Sequence, residues 1–142
     1  MPHSDCKEND FSIQNTDFLL RRITPEQFEE GNITYDAFAE FQCSVEVKSK
    51  SSPEQCLNHI YPDGFKSKNF PKIYKKKLRD GWRVCEVDVG LPRENNQTVY
   101  YDPKKIPLKN EEFVNDAHAE ICGDKNRVFL LKMADRAKIV LG

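Results

Sequence analysis

The chain has 142 residues, of which 38% are hydrophobic, 11% aromatic and 32% charged, and its formal net charge is −1. A chain of this length forms about one domain and buries enough surface to fold without a metal ion or disulfide bonds. The composition excludes a disordered chain, and the near-neutral charge argues against wholesale nucleic-acid binding. No apolar run approaches the roughly 18 residues of a membrane span.

The N-terminal segment differs in pattern from the rest of the chain. Residues 1–16 are polar and carry acidic residues, without the basic and then apolar order of a signal peptide. We therefore expect residues 1–16 to be a flexible N-terminal lead-in and residues 17–142 to form a single α+β domain. The same pattern predicts a cytoplasmic location.

Cysteine spacing argues against a covalent framework. Cysteines stand at positions 6, 43, 56, 85 and 122, an odd number with no CxxC pair. This pattern favours neither a disulfide framework nor a zinc ribbon. We expect reduced, buried thiols, and in particular we expect Cys122 to be a core residue rather than a nucleophile.

The first half of the chain predicts strands separated by short capped turns. An apolar run over 17–23 indicates a strand, and the capping box that starts at Thr24 indicates a helical turn. Alternation over 43–48 predicts a half-buried strand. A second start signal at Ser52 predicts a short helix, whereas 33–41 is expected to be a loop that packs aromatic side chains.

The second half continues with a lysine-rich helix over 66–80 and the clearest strand, 82–89. A short strand is expected at 99–101. The intervening 92–97 is expected to be a loop, and 103–109 is expected to be irregular.

The last third predicts a strand over 117–122, a helix over 127–137 and a final strand over 138–141. The helix is expected to bury one stripe of side chains, Val128, Leu131 and Ala134, with Leu130 and Ala137 as further candidates. The whole pattern predicts an α+β fold, a single compact domain with a mixed or mainly antiparallel sheet of about five strands and two or three helices. The last unit could add a parallel pair through a right-handed crossover.

His118 is the most informative single residue. On an alternating strand, Asp116, His118 and Glu120 project to the same face, where the carboxylates could orient the imidazole as a general base. Neighbouring positions on one face are about 7 Å apart, so three ligands on one strand do not converge on an ion. We therefore predict no metal site. The alternative is that these residues form the solvated face of an edge strand.

Arg21 and Arg22 follow three apolar residues, so one of them should point towards the core side or a cleft. A buried arginine needs an acidic partner or a phosphate. The pair is therefore either an anion clamp facing a substrate or part of a structural ion pair.

The basic segment over 66–83 interleaves lysines with aromatic residues. Such a run fits an acidic protein partner, nucleic-acid phosphates or a helix face in contact with water only. We expect a protein partner and do not favour nucleic acid. The residues predicted to bind this partner are Lys72, Lys75, Lys76, Lys77 and Arg79.

Several short motifs resemble a group of small uncharacterised bacterial proteins with an arginine-rich first strand and a late His-Ala pair. They are Leu20–Ile23, Gly31–Phe38, Ser44-Val45 and Asn115–Ala119, followed by Gly123 and Lys125. The resemblance implies a bacterial, intracellular origin. It brings no assigned activity and no cofactor.

Two functions remain open from the sequence. One is an interaction or accessory protein that binds a macromolecular partner through the basic segment. The other is a small enzyme acting on a nucleotide or other anionic substrate, with His118 as base and Arg21 or Arg22 as anion clamp. The enzyme hypothesis predicts a pocket shared by the first strand and the strand that contains His118.

Overall fold

The computed structural model describes residues 5–57, 70–108 and 111–142. Within these residues the chain forms ten strands and four α-helices. The strands are β1 (Phe18–Ile23), β2 (Phe28–Glu29), β3 (Asn32–Ile33), β4 (Gln42–Val47), β5 (Arg83–Asp88), β6 (Thr98–Tyr101), β7 (Lys104–Leu108), β8 (Glu111–Asn115), β9 (His118–Cys122) and β10 (Lys138–Leu141). The helices are α1 (Pro53–Leu57), α2 (Phe70–Arg79), α3 (Gly90–Glu94) and α4 (Arg127–Arg136).

Six strands form one antiparallel sheet in the order β10-β5-β1-β4-β9-β6, and β2-β3 and β7-β8 form two small hairpin sheets. The predicted fold class, α+β with a mainly antiparallel sheet, is confirmed. The predicted parallel pair is wrong, because β10 joins β5 at the far side of the sheet from β9. The structure also has a strand, β7, where the sequence predicted an irregular segment over 103–109. Helix α3 overlaps the predicted loop over 92–97.

The sheet has two unlike faces. The face covered by α4, called here the α4 face, is apolar and holds most of the core, including Leu19, Val45 and Ile121. The opposite face, called here the α1 face, has a small apolar cluster of Leu20, Leu57 and Val84 beneath α1. The rest of the α1 face is polar, so chemistry-bearing side chains concentrate there.

Helix α4 is rotated relative to the predicted stripe. Phe129, Leu130 and Met133 are buried, whereas Val128 and Leu131 are exposed. Both sets have helical spacing, so periodicity alone does not choose between them. The Asn126 side chain accepts a hydrogen bond from the backbone amide of Phe129 and caps the helix in the observed orientation.

Strands β1 and β4 separate along their length. β1 pairs with β5 over all six of its residues, but its pairing with β4 is confined to Leu19↔Val47 and Leu20↔Glu46. From Arg21 onward, the two strands leave a gap in the sheet. Side chains rather than backbone ladder bonds must therefore satisfy the polar groups at this gap.

The described part of the N-terminal segment, from residue 5, is anchored to the domain at several points, although most of its residues are exposed. Ile13 is fully buried, and the backbone amide of Asp10 donates to the carbonyl of Val99 at 3.0 Å. Arg93 holds the segment through the side chain of Asn9 and the carbonyl of Ile13, at 2.9 and 2.6 Å. A dense set of polar contacts therefore compensates for the low hydrophobicity that suggested flexibility.

The expectation of reduced, buried thiols is confirmed for Cys43 and Cys85 but is wrong for Cys122, which forms a disulfide with Cys6 at a Cα–Cα distance of 5.8 Å. The N-terminal segment brings Cys6 to the end of β9. The two cysteines are 116 residues apart in sequence, so their spacing did not indicate that they would meet. Cys43, Cys56 and Cys85 are buried thiols. Burial raises the pKa of all three, that of Cys85 to about 12, so they stay protonated and unreactive.

None of the described helices is both long enough and apolar enough to cross a lipid bilayer.

Candidate functional site

A cavity of about 470 Å³ opens where β1 and β4 separate, and it extends along the α1 face towards β9. Its lining includes Arg21, Arg22 and His118, so three of the predicted site residues surround one space. Further charged side chains in the lining are Glu40, Glu46 and Lys104. The cavity is therefore polar, with both signs of charge around it.

Arg21 is used by the fold. Its Nε donates to the carbonyl of Ala37 at 2.7 Å, and its Nη1 donates to the carbonyl of Ser44 at 2.6 Å. Its Nη2 contacts Glu40 at 3.3 Å, and the arginine itself is buried. The guanidinium thus bridges the gap between β1 and β4 where the backbone ladder is missing.

Arg22 has a different environment. It is half-buried beside the cavity, and no described residue accepts a hydrogen bond from its guanidinium. The nearby Glu46 attracts it electrostatically, but the Glu46 carboxylate accepts hydrogen bonds from Ser51 and, at 3.0 Å, from Asn115. Burial lowers the pKa of Arg22, so its positive charge is poorly compensated in this position.

A second cation stands beside Arg22 at the aromatic ring of Trp82. The Arg22 guanidinium lies 5.9 Å and the Lys77 ammonium 5.1 Å from the ring centroid. Burial and then the Arg22 charge lower the pKa of Lys77. Lys77 also donates to the carbonyl of Leu57 at 3.2 Å. This corner of the cavity therefore concentrates positive charge around one flat ring.

A polar cluster adjoins the cavity at its β9 end, and His118 is the member of the cluster that lines the cavity. His118 and Glu120 are buried, and Asp102 lies across from His118 just beyond β6. His118 Nδ1 is 2.7 Å from the carbonyl of Asp102, and the Tyr100 hydroxyl donates to Glu120 at 2.9 Å. Burial and then Glu120 raise the pKa of Tyr100 to about 12, so the hydroxyl remains a donor.

Asp102 is the member of this cluster that contacts lysine side chains. Burial disfavours its ionised form, but a hydrogen bond with Glu120 and the ammonium of Lys104 outweigh that effect and hold the pKa of Asp102 below its usual value. Lys104 and Lys7 lie 3.3 and 3.6 Å from the two carboxylate oxygens of Asp102. Both lysine side chains are more than half exposed, so these contacts are easily exchanged.

Other predicted residues lie apart from the cavity. Asp116 is exposed in the turn before β9 and is not part of the lining. β9 is also not an edge strand, because β4 and β6 flank it. Hence His118 and Glu120 share a buried face, and the alternative of a solvated edge is wrong.

The predicted partner-binding residues divide into two groups. Lys75, Lys76 and Arg79 are exposed on α2, whereas Lys77 turns towards Trp82. The side chain of Lys72 lies outside the described residues. The exposed group leaves three cations in contact with solvent, one of which, Lys76, pairs with Asp80 at 2.9 Å.

No protein-family model matches the chain, and neither a curated protein nor a solved structure is significantly similar to it. Functional proposals for this chain therefore rest on the arrangement of its own residues.

Sequence reasoning missed Asp102, Tyr100 and the ring of Trp82 as members of the cavity region. Asp102 precedes Pro103 in a stretch without periodicity, and its proximity to His118 depends on β6 pairing with β9. The sequence places Asp102 directly after a short predicted strand that ends in Tyr100 and Tyr101. It does not indicate which strand this one pairs with.

Proposed function

We propose that the protein binds a small anionic molecule, bearing phosphate or carboxylate groups, in the cavity between β1 and β9. The observation that supports the proposal is Arg22, a half-buried guanidinium at the cavity with no hydrogen-bond acceptor among the described residues. Arg21 is not assigned this role, because its N–H groups already bond to Ala37, Ser44 and Glu40.

The chemistry of the corner favours an anion. A guanidinium presents paired donors that match a phosphate or carboxylate, and a desolvated charge gains more from such a partner than an exposed one. Lys77 adds a second charge, and Trp82 adds a flat surface on which a planar group can stack. A nucleotide-like molecule satisfies all three features.

We expect Arg22→Met to lose anion binding while it stabilises the unliganded fold. Removing a charge-assisted hydrogen bond costs about 1.5–3 kcal/mol, which corresponds to roughly 10- to 100-fold in affinity. Replacing an uncompensated, half-buried charge with an apolar side chain should raise the free energy of unfolding by about 1 kcal/mol. Calorimetric titration with pyrophosphate and AMP, in EDTA, measures the first effect, and urea unfolding measures the second.

Arg79→Met is the matched control, since it removes an exposed arginine from α2. Its affinity and stability should stay close to those of the unmodified protein. The proposal fails if neither probe binds the unmodified protein at millimolar concentration, or if Arg22→Met binds both probes as tightly as Arg79→Met does. The hypothesis that His118 acts as a base on such a ligand stays a prediction.

A second candidate, binding of an acidic protein partner, is favoured by the exposed cations of α2. We expect replacement of Lys75, Lys76 and Arg79 by Gln to abolish binding of a polyglutamate peptide, because long-range attraction to the helix is removed. Fluorescence anisotropy at low and high salt provides the measurement. Single-stranded DNA serves as a second probe, and preferential binding of it would replace the protein partner with nucleic acid.

A triple variant of α4 controls for net charge. Replacement of Arg127, Lys132 and Arg136 by Gln makes the same change in charge on the opposite side of the sheet. Equal losses in both triple variants would contradict a specific α2 surface.

The cellular location is a separate question. The sequence predicts the cytoplasm, whereas the Cys6–Cys122 disulfide favours an oxidising compartment.

A further inference from the structure

Three potential metal ligands meet beside the β9 end of the cavity, and one of them, His118, lines it. Asp102, His118 and Glu120 each offer one ligand atom, and these atoms lie within 4.8 Å of one another. Asp102 follows the strand beside β9, and its backbone amide donates to the carbonyl of His118 at 2.9 Å. Three residues on one strand lie too far apart to bind one ion. Here the third ligand comes from the segment that follows the neighbouring strand, β6, so all three ligand atoms lie close together.

One ring nitrogen of His118 has no hydrogen-bond partner among the described residues. A backbone carbonyl only accepts hydrogen bonds, so the 2.7 Å contact with the carbonyl of Asp102 places the hydrogen on Nδ1. In the neutral imidazole Nε2 then carries the lone pair, and no described residue bonds to it. His118 is only 5% exposed, and it lines the cavity. Metal-binding histidines are commonly oriented in this way, by a carbonyl on the other nitrogen.

Glu120 is a buried carboxylate without a buried cation. It is 6% exposed, and its described hydrogen-bond partners are the neutral hydroxyl of Tyr100 and the side chain of Asp102, so no described cation contacts it directly. Buried carboxylates are rarely left without a paired charge or a metal ion. Lys7 and Lys104 contact Asp102 from exposed positions, so they compensate the charge of Asp102 rather than that of the more deeply buried Glu120.

We propose that Asp102, His118 and Glu120 together bind one divalent transition-metal ion. One imidazole nitrogen and two carboxylate oxygens suit Mn²⁺ or Zn²⁺, whereas thiophilic ions require sulfur ligands and Ca²⁺ prefers oxygen alone. The adjoining cavity supplies room for water or another ligand on the open side of the ion. The site does not depend on the anion proposed for Arg22. It is an alternative to the hypothesis of His118 as a base, because a metal-bound ring nitrogen has no free lone pair.

The test uses Mn²⁺ alone, added to the full chain after treatment with EDTA and its removal. We expect one ion per chain, with the affinity reduced about 10- to 100-fold or more in His118→Gln and Glu120→Gln. Asp116→Asn is the matched control, since this exposed carboxylate lies close in sequence but outside the cluster, and its affinity should be unchanged. Free Mn²⁺ is quantified from its electron paramagnetic resonance signal.

Lys104→Met gives a result that a merely structural cluster would not produce. Because Lys104 competes for an oxygen of Asp102, its removal should tighten Mn²⁺ binding several-fold. Pulsed resonance on the unmodified protein should also detect coupling of Mn²⁺ to an imidazole nitrogen, whether or not the variants fold. The proposal is overturned by absence of Mn²⁺ binding at millimolar concentration, by absence of nitrogen coupling, or by equal affinity in Asp116→Asn and Glu120→Gln.

Discussion

Arg21→Met is expected to lower the free energy of unfolding by about 2–5 kcal/mol, because it leaves two backbone carbonyls without donors. The Ser44 carbonyl lies where β1 and β4 no longer pair, the Ala37 carbonyl lies in the segment before β4, and the Arg21 guanidinium is the side-chain donor to both. The contact with Glu40 contributes less, since the side chain of that residue is 70% exposed. Urea unfolding followed by circular dichroism provides the measurement.

Two further variants separate the geometry of Arg21 from its charge. Arg21→Lys keeps the charge but has one nitrogen in place of three, so it should recover only part of the loss. Arg136→Met removes an exposed arginine that contacts Asp88 at 2.9 Å and should cost less than about 1 kcal/mol. A loss in Arg21→Met no larger than that in Arg136→Met would show that Arg21 does not support the gap, and would return it to consideration as an anion ligand.

The strands that alternate or form clear apolar runs were predictable from sequence. β1, β5, β9 and β10 lie within one residue of their expected bounds at each end, because each contains a periodic or continuous apolar pattern. Strand order was not predictable, since β10 carries no sequence signal for joining β5 rather than β9. Long-range pairing depends on the whole packing arrangement rather than on local pattern.

The candidate site was predictable only in part, for the same reason. His118 and Glu120 share a face because both lie within β9, where alternation holds. Asp116 lies in the turn that precedes β9, where that alternation no longer applies. Asp102 takes its place through the pairing of β6 with β9, which no local pattern around Asp102 encodes.

The two arginines show the limit of alternation within one strand. The sequence predicts that one of them is directed inward, and alternation places Arg21 and Arg22 on opposite faces. Which arginine is paired depends on two carbonyls, that of Ser44, which the separation of β1 from β4 leaves without a ladder partner, and that of Ala37 in the segment before β4. Only tertiary structure distinguishes the structural arginine from the available one.

Cys6→Ser is expected to lower the free energy of unfolding by about 2–4 kcal/mol, since the disulfide closes a loop that spans most of the chain. The folded structure should change little, because Arg93 and Ile13 hold the N-terminal segment independently of Cys6. The loss therefore arises mainly from the greater entropy of the unfolded chain. Urea unfolding with and without reductant measures it, and a reductant should destabilise the unmodified protein but not Cys6→Ser.

Thiol counting tests the pairing itself. Alkylation of the denatured, unreduced protein should modify three cysteines, and alkylation after reduction should modify five, as read from intact mass. The folded protein should react slowly at Cys43, Cys56 and Cys85, whose burial keeps the thiols protonated. Five modified cysteines without reductant, in protein prepared under oxidising conditions, would contradict the disulfide. The stability of Cys6→Ser would then match that of the unmodified protein, and the packing around Arg93 alone would hold the N-terminal segment.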